Sequence, residues 1–477
     1  MLTPQNKTKI VCTIGPASDH PHVLDAMLHQ GMNIARLNFS HGDFESHAKT
    51  IMNLRDASAR TGKRLAIMAD LPGPKMRIGE MSEEPVELAE GDKIILTTRN
   101  LSGNRNCVSV TLQELPEIVS PEDKLFLNDG LISLRVEKID QENVYCEVRS
   151  GGELRARKGL NLPGINFGRC AFTARDRQCL EFAAAQKLDA VSQSFVSGAD
   201  DIEAIREACA ALDYQPFIIA KIERSNALEN LDEILNIADG LMVARGDLGV
   251  ETPISSMAVV QKNIMHKANL AGKPVITATQ MLESMTNNRR PTRAEATDVA
   301  NAILDGTDAV MLSGESAMGL YPIEAVKMLA QIAADTEPFR RPNERDQRMR
   351  DDTCVSDLIA HSLQMAVQRL HPVAVIIPTL TGHMARSVAR FRPTTWITAY
   401  SCREKTCQDL MFSYGVHPIR VEKEQQDWAP FTKKWLNQQH FTEGLVVLSQ
   451  GPSPDHPHAS YRMEVINLNG SHQGEHH

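Results

Sequence analysis

The nine cysteines of this 477-residue chain are scattered, and no two of them form a Cys-x-x-Cys pair. An odd and dispersed set is typical of reduced thiols rather than of a disulfide framework or a metal centre. The sequence also lacks any apolar run near the ~20 residues that a membrane-spanning helix needs, and its first residues lack the apolar core of a signal peptide. We therefore expect a cytoplasmic protein without a membrane partner.

A basic cluster is missing as well. The chain carries 51 Lys and Arg against 60 Asp and Glu, a formal net charge of −9, and the two signs are interleaved. Binding to a nucleic-acid backbone needs a clustered cationic face, so nucleic acid is excluded as the main partner. The sequence contains neither a Gly-x-x-x-x-Gly-Lys-[Ser/Thr] loop nor the glycine-rich loop of protein kinases, so any nucleotide must be held in another way.

Short β-branched runs alternate with helical patterns through most of the chain. Such alternation predicts parallel strands joined by crossover helices, and eight strands in this order predict a (β/α)8 TIM barrel of the α/β class. The eight predicted strands are Lys9–Thr13, Ile34–Leu37, Ala66–Ala69, Ala190–Gln193, Phe217–Lys221, Leu241–Ala244, Val275–Ala278 and Ala309–Leu312.

One connection in this pattern is too long for a loop. Roughly a hundred residues separate the third predicted strand from the fourth, and their short alternating segments predict a small β-barrel domain inserted as a lid. A charged, proline-containing stretch after the barrel indicates a linker, and a second α/β pattern follows it. The predicted divisions are residues 1–71 and 171–340 for the barrel, 72–170 for the lid and 341–477 for a C-terminal α/β domain.

Polar side chains are concentrated where the predicted barrel strands end. Reactive residues of such barrels lie at the carboxyl ends of the strands, so these positions are the informative ones. Taken singly, each residue is more typical of a surface ion pair, a turn or a capping hydroxyl, and only their joint occurrence favours a functional site. They are Arg36, Asn38, Ser40, Asp70, Lys221, Glu223, Asp247, Thr279, Ser313 and Glu315.

The kinds of side chain in this set indicate a reaction. Glu223 and Asp247 follow neighbouring predicted strands, and paired carboxylates with room for water suit Mg²⁺ or Mn²⁺. Arg36, Lys221 and Arg77 supply positive charge at the same mouth of the barrel. Cations beside a divalent metal are what phosphoryl transfer needs, because negative charge builds up on the transferring group.

Several segments resemble the pyruvate kinase family. The most specific are Ala-Thr-Gln-Met-Leu-Glu-Ser at 278–284 and Pro-Thr-Arg-Ala-Glu at 291–295. Further matches are Lys9–Pro16, Arg36–Gly42, Asp70–Arg77, Lys221–Glu223, Met242–Gly249 and Met311–Glu315. The resemblance covers nearly the whole chain and is weakest in its C-terminal third. It implies an allosteric homotetramer that transfers the phosphoryl group of phosphoenolpyruvate to ADP, giving pyruvate and ATP in the final step of glycolysis.

The resemblance also implies roles for the residues at the strand ends. Glu223 and Asp247 would ligate the Mg²⁺ that bridges the substrate and the transferring phosphoryl group. Lys221 would neutralise charge on that group in the transition state. Arg36 would bind the phosphoryl group and, together with Arg77, orient both substrates.

Other positions would hold the rest of the substrates. The backbone at Gly246 and Asp247 would bind the carboxylate of pyruvate, and Thr279 would lie beside the enolate carbon. Ser313 and Glu315 would belong to a proton relay of hydroxyl groups and water. The implied contacts of ADP are Asn38, His41, Arg77 and Lys158, of which the last lies on the lid.

Two departures from the family's pattern carry further predictions. Potassium-dependent members carry Thr and Glu where this chain has Leu71 and Lys75. They hold the monovalent cation near the residues that match Asn38, Ser40, Asp70 and Leu71. The ammonium group of Lys75 could stand in for that cation, so we expect an activity that does not require potassium.

The second departure is in a loop of the C-terminal domain. Members that bind fructose bisphosphate have Ser/Thr-Lys-Ser-Gly-Arg-Ser where this chain reads Thr379-Leu380-Thr381-Gly382-His383-Met384. We expect a different sugar-phosphate or nucleotide effector there. It would be bound by Thr379, Thr381, the backbone near Gly382, and His383.

Two other interpretations stay open on the sequence alone. Another Mg-dependent phosphoenolpyruvate or pyruvate barrel enzyme, such as a carbon–carbon lyase, would also hold a metal between acids. Lys221 and the inserted lid favour nucleotide-dependent transfer instead. A catalytically silent regulatory paralogue is disfavoured, because every catalytic position carries a competent type of residue.

Overall fold

The computed structural model describes residues 4–74, 76–165, 170–340, 354–452 and 460–469. The first elements are β1 (Lys9–Thr13), α1 (Pro21–Gln30), β2 (Ile34–Asn38), α2 (Phe44–Thr61) and β3 (Ala66–Leu71). Gly31 and Gly62 terminate the two helices with φ of +118° and +64°, a left-handed conformation that favours a residue without Cβ. The three strands coincide with those predicted, although β2 and β3 extend further toward their carboxyl ends.

The next segment is built almost entirely of strands. They are β4 (Val86–Leu88), β5 (Lys93–Thr97), β6 (Cys107–Ser109), β7 (Lys124–Leu127), β8 (Ile132–Ile139), β9 (Asn143–Ser150), β10 (Gly152–Leu154) and β11 (Leu160–Asn161), with helix α3 (Leu115–Ile118) before β7. Six strands form one sheet in the order β11-β7-β8-β9-β5-β6, and β4 pairs with β10. Alternate side chains such as Leu125, Leu127 and Leu134 are buried in a separate apolar core.

Strand–helix units then resume. The strands are β12 (Ala190–Gln193), β13 (Phe217–Ile222), β14 (Gly240–Ala244), β15 (Val275–Ala278) and β16 (Ala309–Leu312). The helices are α4 (Ala174–Ala185), α5 (Ala199–Ala211), α6 (Ser225–Glu229), α7 (Leu231–Ile237), α8 (Arg245–Glu251), α9 (Met257–Leu270), α10 (Arg293–Asp305), α11 (Gly314–Ala317) and α12 (Pro322–Thr336). Thr173 and Thr292 begin α4 and α10 with reciprocal capping hydrogen bonds.

Eight parallel strands close into one barrel in the order β1-β16-β15-β14-β13-β12-β3-β2. β3 and β12 are neighbours in the barrel, with Asp70 opposite Ser192, although the inserted segment separates them in the chain. The insertion therefore leaves and re-enters the barrel between two adjacent strands without interrupting it. The predicted fold class is confirmed, while the predicted residue bounds of the domains stay predictions.

A smaller α/β domain follows. Its elements are α13 (Val355–Leu370), β17 (Ala374–Pro378), α14 (His383–Ala389), β18 (Ile397–Ser401), α15 (Glu404–Asp409), β19 (Val416–Arg420), α16 (Trp428–Gln438), β20 (Leu445–Gln450) and β21 (Arg462–Asn467). The sheet has the order β19-β18-β17-β20-β21, and its last strand is antiparallel. No helix in the described ranges is long and apolar enough to cross a membrane.

The C-terminal domain packs against the amino ends of the barrel strands. Phe412 stacks on Phe217, the first residue of β13, with ring centroids 5.0 Å apart and planes 5° from parallel. Met411 and Phe412 join the apolar side chains inside the barrel. The buried guanidinium of Arg392 pairs with Asp308 at the amino end of β16, with Nη2 2.7 Å from Oδ2. This domain therefore does not cover the opposite end of the barrel, where the carboxyl ends of the strands carry polar residues such as Arg36, Asp70 and Lys221. We call that end of the barrel the rim.

Candidate active site

The polar residues at the carboxyl ends of the strands converge on the buried carboxylate of Asp70. Arg36 from β2 donates to Asp70 Oδ2 through Nη2, and also through Nε at 3.1 Å. Lys221 from β13 brings its Nζ to 3.4 Å from the same carboxylate. Ser192 from β12 donates to Oδ1 at 2.6 Å. One acid thus fixes two cations that come from distant parts of the chain.

The surroundings of Asp70 keep it ionised. Burial alone would raise its pKa, but the charges of Arg36 and Lys221 and the hydrogen bonds from Ser192 and Arg36 lower the pKa to about 2. A protonated carboxyl could not hold both cations in place. The arrangement at Asp70 is therefore stable at neutral pH.

The ammonium group of Lys221 makes two further contacts. Its Nζ donates to Ser194 Oγ at 2.7 Å and lies 2.9 Å from Glu223 Oε1. Ser194 in turn donates to the carbonyl of Leu71 at 2.7 Å. Burial lowers the pKa of Lys221, but the charges of Asp70 and Glu223 more than compensate and leave it raised. The lysine is thus a fixed, permanently charged group at the mouth of the barrel.

The two predicted metal ligands leave adjacent strands at the same end of the barrel. Glu223 follows β13, is 2% exposed, and accepts from the Phe195 N–H at 2.8 Å through Oε2. Asp247 is half-buried in the first turn of α8, directly after β14, and β14 pairs with β13. Within the described residues, no cluster of three or more His, Cys, Asp or Glu side chains could hold a metal. Two carboxylates with places left for water and substrate fit Mg²⁺, which keeps several non-protein ligands.

The loop after β15 has a strained backbone. Thr279 and Gln280 have φ of +66° and +53°, a left-handed conformation that non-glycine residues rarely adopt. Thr279 Oγ1 accepts from the Gly246 N–H at 2.8 Å, and its carbonyl accepts from Arg245 Nη2, also at 2.8 Å. Arg245 is held in turn by Asp298, 2.6 Å away. The strain is maintained by contacts that put the Thr279 hydroxyl against the start of α8.

Ser313 and Glu315, the predicted relay residues, are linked through the backbone N–H of Ser313 and not through its hydroxyl. Glu315 accepts from the N–H groups of Ser313 at 2.7 Å and Leu282 at 3.0 Å, so it ties together the loops after β16 and β15. Burial raises the pKa of Glu315. The Ser313 hydroxyl is buried and has no hydrogen-bond partner among the described residues. It is therefore available to a substrate or to water.

Arg77 and Lys158 lie close together on the inserted domain. Arg77 forms a bridge with Gly159, and its Nη1 donates to the Arg157 carbonyl at 3.3 Å. The connection to the barrel is tight at Gly73, where φ is +64° and a Cβ would lie 2.9 Å from the Phe195 ring. Lid and barrel therefore meet beside the residues that hold Lys221.

The predicted monovalent-cation region is only partly described. Asn38 pairs in register with Asp70, and its Oδ1 accepts from the Ser40 N–H at 3.1 Å. Leu71 is fully buried at the end of β3. His41, a predicted nucleotide contact, is exposed just beyond this group. Lys75 lies outside the described residues.

The predicted effector loop borders a cavity of about 610 Å³ in the C-terminal domain. Thr379, Thr381 and His383 line it, together with Trp428 from α16. Thr379 Oγ1 accepts from the Gly382 N–H at 2.9 Å, so this hydroxyl shapes the loop. The cavity is large enough for a ligand of the size of a nucleotide or a sugar phosphate.

Sequence reasoning missed four residues of the rim: Thr13, Ser192, Ser194 and Arg245. Thr13 accepts from Arg36 Nη1 at 2.9 Å. Ser192 contacts Asp70, Ser194 contacts Lys221, and Arg245 contacts the carbonyl of Thr279. Ser192 and Ser194 alternate at the end of a predicted strand, the same signal that identified Arg36 and Asn38. That signal could have found both serines.

Comparison with known proteins agrees with this geometry. A family model described as pyruvate kinase, barrel domain, matches residues 5–326, and one described as pyruvate kinase, alpha/beta domain, matches residues 357–466. The chain is 46% identical to a pyruvate kinase of Thermococcus litoralis over 89% of this chain and 90% of that one. It is also 46% identical to a pyruvate kinase of Geobacillus stearothermophilus over 87% of this chain and 71% of that one.

The likeness extends to a solved structure. A crystal structure of a pyruvate kinase from Cryptosporidium parvum matches with a TM-score of 0.90 at 34% identity, covering 97% of this chain and 96% of that one. Both parts of the chain, barrel and C-terminal domain, are thus matched in sequence and in fold. The chain belongs to the pyruvate kinase family.

Proposed function

We propose that the barrel rim around Asp70 is the site at which this chain transfers the phosphoryl group of phosphoenolpyruvate to ADP, giving pyruvate and ATP. The observation that carries the proposal is the convergence of Arg36, Lys221 and Glu223 on one buried cluster at the carboxyl ends of the strands. This reaction is the final step of glycolysis.

Lys221 and Arg36 would stabilise the transferring group by charge. Both are buried, and both are oriented by Asp70 before any substrate arrives. Fixed charges in a site with little water act strongly on a transition state, since no reorganisation is needed at the moment of reaction. The two cations would therefore lower the barrier to phosphoryl transfer rather than only bind the substrate.

The family requires a divalent metal, and we propose Mg²⁺ or Mn²⁺ held by Glu223 and Asp247. When bound, the metal would supply positive charge that offsets the negative charge gathered on the substrate. Glu223 already contacts Lys221, with Oε1 2.9 Å from Nζ, so the carboxylate that would hold the metal also holds the ammonium group.

The pyruvate half of the substrate would lie between α8 and the loop after β15. The hydrogen bond between the Gly246 N–H and Thr279 Oγ1 places a backbone donor beside a hydroxyl. A carboxylate at Gly246 and Asp247 would therefore bring the adjacent enolate carbon toward Thr279. We assign Ser313, with its unpartnered hydroxyl, to the water chain that supplies the proton, and Glu315 to holding that loop.

ADP would be bound between the barrel and the lid. Asn38 and His41 lie at the end of β2, whereas Arg77 and Lys158 lie on the inserted domain. Contacts from both sides require the lid to be near the rim when the nucleotide is bound. Such closure would also exclude water, which could otherwise accept the phosphoryl group.

The proposal is tested by an assay that couples pyruvate formation to lactate dehydrogenase. We expect pyruvate to appear only when both phosphoenolpyruvate and ADP are present, with equimolar ATP. A lyase would consume phosphoenolpyruvate or pyruvate without ADP, and a silent paralogue would form no product. Either result would reject the proposed activity.

We further propose that the enzyme belongs to the potassium-independent subgroup. The support is the pair of residue types at Leu71 and Lys75, which follow Asp70 closely in the sequence. A tethered ammonium group there would replace a free cation. We expect less than a twofold change in kcat when potassium is replaced by tetramethylammonium at constant ionic strength. A collapse of the rate that potassium alone restores would contradict this.

Regulation and assembly are proposed as well. The 610 Å³ cavity would bind a sugar-phosphate or nucleotide effector other than fructose bisphosphate, using Thr379, Thr381 and His383. Exposed apolar side chains of the C-terminal domain, among them Leu358 on α13 and Val465 on edge strand β21, support a homotetramer. We propose a cytoplasmic location for the enzyme.

A further inference from the structure

A second polar cavity lies between the barrel and the C-terminal domain, at the amino ends of the barrel strands. Its volume is about 260 Å³. We call it the interface cavity. Its charged and titratable lining consists of Asp239 and Lys273 from the barrel and Asp357, His383, Arg386 and Arg390 from the C-terminal domain.

The two carboxylates of the interface cavity are already engaged. Asp239 accepts from Arg206 Nη2 at 3.1 Å and from the Ile218 N–H at 2.9 Å. Asp357 pairs with Arg390, with Oδ1 3.2 Å from Nη2. The negative charge that lines the cavity is therefore directed at other groups.

Lys273 and Arg386 are left with neutral partners only. Lys273 Nζ donates to the Ala238 carbonyl at 2.7 Å, and Arg386 Nη2 donates to the Thr381 carbonyl at 2.9 Å. Among the described residues, neither side chain forms an ion pair with a carboxylate. Two cations from different domains thus face one cavity, and neither has a carboxylate paired with it among the described residues.

The directions of the pKa shifts also indicate an excess of positive charge in the cavity. Burial lowers the pKa of Lys273, Asp239 opposes the effect, and the charges of Arg386 and Arg206 lower the pKa further. Burial also lowers the pKa of Arg386, against the opposing charges of Asp409 and Asp239. Burial, together with Arg386, Arg390 and Lys273, lowers the pKa of His383, which Asp357 opposes. A negative charge placed in the cavity would relieve all three groups.

We propose that the interface cavity binds a phosphate group, held between Lys273 of the barrel and Arg386 of the C-terminal domain. Guanidinium groups match phosphate oxygens in pairs, and an ammonium group supplies a point charge. The cavity is smaller than the ~300–1,000 Å³ that drug-sized ligands occupy, so its size favours inorganic phosphate over a nucleotide.

The proposed phosphate site is separate from the rim and from the effector cavity, but it adjoins the latter. His383 at the start of α14 lines both the 610 Å³ cavity and the interface cavity, whereas Arg386 and Arg390 line only the second. A bound phosphate would join this short helix to Lys273. The barrel would then be attached to the element that borders the effector cavity, and the interface between the two domains would become more stable.

Calorimetric titration of the whole chain with inorganic phosphate, at ionic strength fixed with chloride, tests the proposal. We expect Lys273→Met and Arg386→Met each to weaken one binding event by about 10-fold or more, the effect of losing a hydrogen bond to a charged group. Lys433→Met, at an exposed lysine on α16, should bind like the wild type. Lys221→Met should retain phosphate binding in the interface cavity, because this substitution alters only the opposite end of the barrel.

Thermal unfolding supplies a second readout that does not depend on activity. Phosphate should raise the unfolding midpoint of the wild type and of Lys433→Met equally, and the increase should be smaller in Lys273→Met, which keeps only the general stabilisation by this salt and binding at other sites. Glycerol phosphate, a small phosphomonoester, identifies the source of the group: tighter binding than inorganic phosphate would assign the site to a phosphorylated metabolite. Identical phosphate isotherms and midpoints in the wild type, Lys273→Met and Arg386→Met would overturn the proposal.

Discussion

Replacing Lys221 by Met should lower kcat for pyruvate formation by about 10³-fold or more, the range seen when a single cation that stabilises a transferring phosphoryl group is lost. The physical reason is that Lys221 is buried, charged and fixed by Asp70, Ser194 and Glu223 before the substrate binds. The KM for phosphoenolpyruvate should change much less, because Arg36 and the metal site still bind the ground state.

The matched control is Lys262→Met on α9. Lys262 also pairs with an acid, Asp305, but its side chain is about half exposed and lies away from the rim. Both variants should show similar circular dichroism, and Lys262→Met should keep kcat within about twofold of the wild type, because, among the described residues, the side chain of Lys262 has no contact with those at the carboxyl ends of the strands. If Lys221→Met retained more than a tenth of the wild-type kcat, the role assigned to this lysine would be wrong.

Replacing Arg392 by Met should destabilise the C-terminal domain by about 3–5 kcal/mol, the cost of leaving one member of a buried ion pair alone. The side chains of Arg392 and Asp308 are 2% and 4% exposed. Arg392 also donates to Asn269 Oδ1 at 2.7 Å and to the Gly306 carbonyl at 2.6 Å. Among the described residues, Asp308 would keep only backbone donors, from Val275 at 3.0 Å and Tyr414 at 2.9 Å.

The stability of the C-terminal domain can be followed by tryptophan fluorescence. All three tryptophans, Trp396, Trp428 and Trp435, lie in the C-terminal domain, so tryptophan fluorescence during urea unfolding reports on that domain. Arg420→Met is the control, since the pair of Arg420 with Glu404 is 57% and 46% exposed and should contribute less than about 1 kcal/mol. Equal unfolding midpoints for the two variants would show that the Arg392 pair does not hold the domains together.

The barrel could be predicted from the sequence because its strands carry a local signal. Each is a short apolar, β-branched run, and the parallel arrangement follows from the helices between them. Asp70 shows the limit of that signal. The predicted third strand stops at Ala69, whereas β3 continues through Asp70 and Leu71 because pairing with β12 overrides the low strand preference of aspartate.

The candidate site could be predicted only as a set of residues. The spacing of Lys221 and Glu223 predicts that both lie at the end of one strand. It does not predict that Lys221 contacts Asp70 and Ser194. That meeting depends on closure of the barrel between β3 and β12, which the inserted domain separates in sequence. Pairing of Arg392 with Asp308 depends on how two domains dock, and no local pattern encodes it.

The central proposal is that Glu223 and Asp247, which follow the adjacent strands β13 and β14, form the divalent-metal site of this enzyme. Titration with Mn²⁺, followed by electron paramagnetic resonance of the free ion, tests it most directly. Glu223→Gln and Asp247→Asn should each weaken Mn²⁺ binding by more than about 10-fold, since losses of that size follow even from changes around the ligands. Glu229→Gln, at an exposed position on α6, should bind Mn²⁺ as the wild type does. Wild-type affinity in both acidic-residue variants would contradict the account.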